Sequence, residues 1–120
     1  MGKQVLFVCL GNICRSPSAE AIFRDTIALS GLDVAHDSAG TSGWHRGEPP
    51  YGPMQDAALT RGIAMADLQS RQVRKSDFDD FDVIVAMDKS NLHDLIAMRP
   101  SSQCRANVVL MGDYLDDPME

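Results

Sequence analysis

The run QVLFV at residues 4–8 is apolar throughout, the pattern of a strand buried on both faces. From Ser16 the period changes. Ala19, Ile22, Phe23 and Ile27 recur at helical spacing while Glu20, Arg24 and Asp25 take the other side, and Pro17 suits a first helical turn. This predicts a helix over 17–29, stopped by Gly31. VAHDSAG at 34–40 reads as a second strand ending at Gly40, and residues 41–53, TSGWHRGEPPYGP, carry too much Gly and Pro for regular structure. They form a surface loop. MQDAALTRG predicts a short helix closed by Gly62, and Ser76 with Asp79 resembles a capping box ahead of Phe78 and Phe81. FDVIVAM at 81–87 is another buried strand. Asp88 to Asn91 offer cap chemistry to a helix carrying Leu92, Leu95 and Ile96 that Pro100 ends, and ANVVLMG at 106–112 is the last strand.

The order β-α-β-loop-α-β-α-β predicts an α/β fold, a four-stranded parallel sheet with helices on both faces and right-handed crossovers. Ligands of such sheets bind at the carboxyl ends of strands, where Cys9 lies. The stretch that follows, VCLGNICRSP at 8–17, joins strand to helix. A helix amino terminus presents unpaired N–H groups and the positive end of a dipole, so it is a natural anion cradle. Gly11 and Asn12 are residue types that can take the unusual dihedrals needed to turn successive amides inward, and Arg15 can fold its planar guanidinium back onto two phosphate oxygens. Cys9 then sits under the phosphorus. Helix ends and neighbouring arginine favour a thiolate, to which Ser16 can also donate, and a thiolate in line with a phosphoryl group can displace its leaving group. The cradle stabilises the equatorial oxygens in each step. The competing reading of Cys9 is a small core residue at a strand end, and the Gly-Asn and Ser-Pro context argues against it. Cys14 is either a packing residue or a thiol that traps Cys9 as a reversible disulfide.

Bulk composition narrows the setting. With 120 residues, 44% hydrophobic and 23% charged, residues 1–120 read as one domain. The net charge of −6 disfavours nucleic acid and anionic membrane as partners. Three cysteines and no signal-like amino terminus suggest free thiols in a reducing cytoplasm. His36, His45 and His93 lack metal-ligand spacing and read as surface or packing residues, so neither metal nor cofactor is expected. SDFDDFD at 76–82 reads as a solvated helix face.

VCLGNICRSP with AEAIF, SAGT at 38–41, GWHRGEPP at 43–50, RQV at 71–73 and MDKSNL at 87–92 together resemble the low-molecular-weight protein tyrosine phosphatases. The resemblance runs in order over nearly the whole chain. It implies a flavodoxin-like sheet, no metal or cofactor, and hydrolysis of phosphotyrosine in a protein substrate through a cysteinyl-phosphate. Carried over by position, Cys9 matches the nucleophile, Arg15 the phosphate-binding arginine and Cys14 the second loop cysteine, within a phosphate-binding stretch Leu10, Gly11, Asn12, Ile13, Cys14 and Arg15. Asn12, Ser16 and Ser38 match the polar network that shapes the loop, while Leu10, Ile13 and Trp44 match the walls of a cleft for an aromatic ring. Trp44, the only tryptophan, lies in a polar loop where stacking on a ligand is a better account than packing. Asp88 matches a supporting acid, and reads equally as an ordinary helix cap. Related arsenate reductases share the loop but need further cysteines, and only Cys104 lies downstream; a non-catalytic phosphotyrosine-binding module is the remaining alternative.

The pattern breaks at the end. Family members usually continue with an Asp-Pro-Tyr-Tyr-Gly segment, whose Asp is the general acid, and a final helix. In this sequence the only Asp-Pro is Asp117-Pro118, placed like the spacer before that segment. Without the helix, one apolar face of the sheet would meet water, so the expectation is either a truncated chain or one whose open face pairs with a partner or a second copy.

Overall fold

In the computed structural model, which describes residues 3–101 and 103–114, four strands pair in parallel. They are β1 (Lys3–Cys9), β2 (Val34–Gly40), β3 (Val83–Ala86) and β4 (Asn107–Leu110), in the spatial order β2-β1-β3-β4. The predicted α/β parallel sheet is therefore present. Its register sets Phe7 beside Ser38 on one side and Val85 on the other, and Cys9 beside Gly40. Helices α1 (Arg15–Ser30), α2 (Gly52–Leu59), α3 (Asp77–Asp80) and α4 (Lys89–Met98) intervene, and a 3-10 turn over Met111–Tyr114 follows β4. No helix among the described residues is long and apolar enough to cross a membrane.

Alternation along the strands divides the apolar residues between two layers. Leu6, Val8, Ile84 and Ala86 face a fully buried core completed by Phe78 and by Leu95 of α4. Phe7 points the other way and meets Phe23 of α1 edge-on, with ring centroids 5.4 Å apart. Helix α1 lies against β1 and β2 and α4 against β3 and β4, so helices cover both faces. On the α1 side, Val83 of β3 and Val109 of β4 remain partly exposed.

Several local expectations need correction. Glu20 was expected on the outer side of α1, yet it is buried at 4% exposure, where it accepts from the Ser38 hydroxyl at 2.8 Å and meets His36 Nδ1 at 2.7 Å; Ile22 is exposed instead. A buried carboxylate with two partners is tolerated where an unpaired one is not. Helix α2 begins at Gly52 with Pro53 in its first turn, inside the expected loop, and Gly62 (φ 74°) lies in the turn beyond it. The Ser76 capping box is absent, because Ser76 itself has helical dihedrals and its side chain makes no cap. SDFDDFD is a solvated face only in part, through Ser76, Asp79 and Asp80. Asp77 is 1% exposed and paired with Arg71, while Asp82 holds the Gln4 N–H and Arg105. Asp117 lies outside the described residues.

Candidate active site

β1 delivers Cys9 to the carboxyl edge of the sheet, and the chain then curls through residues 10–14 into the first turn of α1. The curl is fixed from outside by its carbonyls. The Cys9 oxygen accepts from Thr41 N–H at 2.9 Å, that of Leu10 from Ser42 N–H at 2.9 Å, that of Gly11 from the Ser70 hydroxyl at 2.8 Å, and that of Ile13 from Tyr51 N–H at 2.6 Å. Cys14 O accepts from the Ser18 hydroxyl at 2.6 Å. With the oxygens so engaged, the amides of the loop are left free or turned to the sulfur, as that of Asn12 is at 3.3 Å. Among the described residues those of Gly11, Ile13, Cys14 and Arg15 meet no carbonyl. Successive free amides at the positive end of a helix are what a nest for a tetrahedral oxyanion requires.

Two backbone positions permit the curl. Asn12 has φ 59°, the only non-glycine in the left-handed region among the described residues, a conformation asparagine tolerates. Gly40 meets the loop so closely that a Cβ there would lie 2.6 Å from Leu10 O.

At the floor, Cys9 is 3% exposed and its Sγ lies 3.1 Å from Ser16 Oγ and 3.3 Å from the Asn12 N–H. Asn12 Nδ2 donates in turn to Ser16 Oγ at 2.8 Å. Of the three residues matched to the loop's polar network, Asn12 and Ser16 thus meet each other and the sulfur. Ser38 stands one step away: its hydroxyl goes to Glu20, and it is the neighbouring Ala39 carbonyl that faces Ser16, at 3.4 Å.

At the rim, Arg15 Nη1 donates to Asp88 Oδ2 at 2.5 Å, and Asp88 Oδ1 caps α4 by accepting the Asn91 N–H at 2.8 Å. Asp88 is therefore both a cap and a support for the arginine. The hydrogen bond from Arg15, followed by that from the Asn91 backbone, holds the Asp88 carboxyl below the usual carboxylate range. The bond to Asp88 raises the Arg15 guanidinium in turn. Side-chain exposures of 48% and 40% make this a screened, adjustable contact.

The curl opens into a cleft of about 260 Å³ walled by Leu10, Ile13, Cys14, Arg15, Trp44 and His45. Trp44 is 76% exposed, its indole unclaimed by the core. His45 was expected to be surface or packing, but it lines the cleft, with its ring against Gly11 and its Nδ1 2.9 Å from Glu48. A roomier groove of about 310 Å³ between Arg71, Arg74, Arg105 and facing aspartates holds no nucleophile. Cys104 precedes β4 at the amino edge of the parallel sheet, opposite the edge that carries Cys9.

Comparison with known proteins gives the family. The family model for low molecular weight phosphotyrosine protein phosphatase matches residues 4–120. The chain belongs to this family. It is 47% identical over 115 residues to the low molecular weight protein-tyrosine-phosphatase YfkJ of Bacillus subtilis, covering 94% of this chain and 73% of that one. The crystal structure of YfkJ superposes with a TM-score of 0.89, covering 98% of this chain and 74% of that chain. The human low molecular weight phosphotyrosine protein phosphatase is 46% identical over 123 residues, covering 98% of this chain and 75% of the relative. The Drosophila arginine phosphatase DARP is 38% identical with a TM-score of 0.87, covering 92% of this chain and 71% of that one. This chain is shorter than each of these phosphatases.

Proposed function

We propose that this protein hydrolyses phosphotyrosine in protein substrates, with Cys9 as the nucleophile and residues 10–15 as the phosphate cradle. The observation that carries the assignment is the run of amides without carbonyl partners beside a buried sulfur that already accepts the Asn12 N–H. A phosphate monoester seated there has its phosphorus above Cys9 Sγ. The S–P bond forms as the P–O bond to the phenol breaks, leaving a cysteinyl-phosphate, and water then cleaves S–P to release inorganic phosphate and the thiolate. Arg15 swings from Asp88 onto the equatorial oxygens, where its fork grips two of them. Leu10, Ile13 and the flat face of Trp44 receive the aromatic ring.

The assignment is tested on the chain of 120 residues with aryl phosphates and a phosphotyrosine peptide. Cys9→Ser is expected to abolish turnover and retain inorganic phosphate, and acid quenching of the unaltered enzyme is expected to trap a phosphocysteine. Failure to trap it, with phosphate still bound, identifies a binding module instead. A phosphoarginine peptide is expected to turn over more slowly, since Trp44 offers a flat wall to a phenol. Thiol consumption with arsenate is expected to be nil, because Cys104 stands at the far edge of the sheet. No carboxylic acid lines the cleft among the described residues. Proton donation to a leaving group contributes about 10²–10⁴-fold, so kcat/KM is expected to fall steeply as the leaving phenol becomes more basic. A flat dependence shows that residues 1–120 contain a competent acid.

A further inference from the structure

Residues 70–73, Ser-Arg-Gln-Val, cross the carboxyl end of β2 as a strap between the cradle and the loop of Trp44 and His45. Gly40 N–H donates to Arg71 O at 2.8 Å and Val73 N–H returns to Gly40 O at 2.8 Å. Ser70 holds Gly11 O through its hydroxyl, and its backbone exchanges bonds with Gly47 and Glu48, all at 2.8 Å. The contact closest to the chemistry is made by Arg71, whose backbone N–H donates to Asn12 Oδ1 at 3.0 Å. Asn12 is the residue with the left-handed backbone whose own N–H points at Cys9 Sγ.

Behind these backbone bonds an ion pair also holds the strap. The Arg71 guanidinium forks onto Asp77, with Nη1 to Oδ2 at 2.9 Å and Nη2 to Oδ1 at 3.1 Å, while its Nε reaches Asp37 at 3.0 Å. Asp77 is 1% exposed and also accepts the Arg74 N–H at 2.8 Å. A forked pair onto a buried carboxylate determines both the position and the orientation of the arginine, which a single surface contact does not. Burial acts to lower the Arg71 pKa, and the bonds and charges of Asp77 and Asp37 outweigh it, leaving the guanidinium raised. Removing one partner of such a pair strands the other and displaces the backbone that carries it.

We propose that Arg71 and Asp77 are positioning residues for the phosphatase reaction: their ion pair sets the strap, the strap holds the Asn12 side chain, and Asn12 aims its amide at the sulfur. The inference rests on the assignment of Cys9 as nucleophile. It assigns a catalytic consequence to two residues neither of which lines the cleft.

The test compares alkylation of Cys9 by iodoacetate, an anion that uses the cradle, with alkylation by neutral iodoacetamide, which does not. The ratio of the two rates reports cradle order independently of total stability. In Asp77→Asn the ratio and kcat for an aryl phosphate are each expected to fall about tenfold with KM changed less, the scale of one weakened charged hydrogen bond. Arg71→Lys, which keeps the charge and loses the fork, is expected to lie between Arg71→Met and the unaltered protein. It supplies the same reading if Asp77→Asn does not fold. Asp67→Asn, which removes the surface pair with Arg24, is the control for stability alone and is expected to leave the ratio unchanged. A ratio equal to that of the unaltered protein in folded Asp77→Asn or Arg71→Lys overturns the proposal. If inorganic phosphate fails to slow iodoacetate in the unaltered protein, the assignment of the cleft itself is wrong, and this inference goes with it.

Discussion

Cys9, Asn12 and Ser16 form a closed triangle of contacts, and each corner is positioned by a different constraint: a strand end, a left-handed backbone and a helix start. Replacing Ser16 by Ala removes the hydroxyl from both the sulfur and the Asn12 amide. Hydrogen bonds to charged groups are worth about 1.5–3 kcal/mol, so kcat is expected to fall roughly 10- to 100-fold in steady-state assays. Gly40→Ala tests the close approach of β2 to the loop. Its Cβ would clash with a backbone oxygen rather than a flexible side chain, so a loss of about 1–3 kcal/mol in denaturant titration is expected, together with loss of phosphate binding. Cys9 and Arg15 were legible in the sequence because everything that marks them lies within ten residues. His45, Ser70 and Arg71 were not, since the loop contacts that give the last two meaning span 59 positions along the chain.

At the scale of elements, β2 and α4 follow their sequence signals closely: VAHDSAG is the strand, and Asp88 caps the helix through the Asn91 N–H. The failures share a cause. The capping pattern at Ser76 and the charged side of α1 were judged by helical period and cap chemistry, but Asp77 and Glu20 are claimed by side chains outside their own helices, Arg71 six positions before and Ser38 eighteen positions after, that composition cannot reveal. Tertiary pairing overrode the local rule in both places. Gly31, by contrast, ends α1 as expected, with φ 70° and its N–H on Ile27 O. A Cβ there meets no atom within 4 Å. Gly31→Ala is therefore expected to cost about 1–2 kcal/mol of stability through backbone strain alone and to leave kcat and KM unchanged. A loss of activity in step with stability would show that α1 is not independent of its terminus.

For the molecule as a whole, the sign of the pH dependence follows from its carboxylates. Asp67, Asp82 and Asp88 are all held below their ordinary value of 3.8, each first by a hydrogen bond from an arginine. The unfolded chain then binds more protons than the native one in the acid range. Their contribution is fully present above pH 4 and is lost as pH falls through the native values, so the urea midpoint is expected to decline on acidification below about pH 4. A midpoint that holds constant there would mean that these exposed pairs contribute nothing measurable. The arrangement at Asp88 has one more result. Its two oxygens serve separate clients, one the helix and one the arginine, so a dianion that draws the guanidinium inward leaves the Asn91 amide capped. On the proposed swing of Arg15, capture of substrate is expected to leave the neighbouring helix anchored, so that the enzyme loads and discharges without loosening its frame.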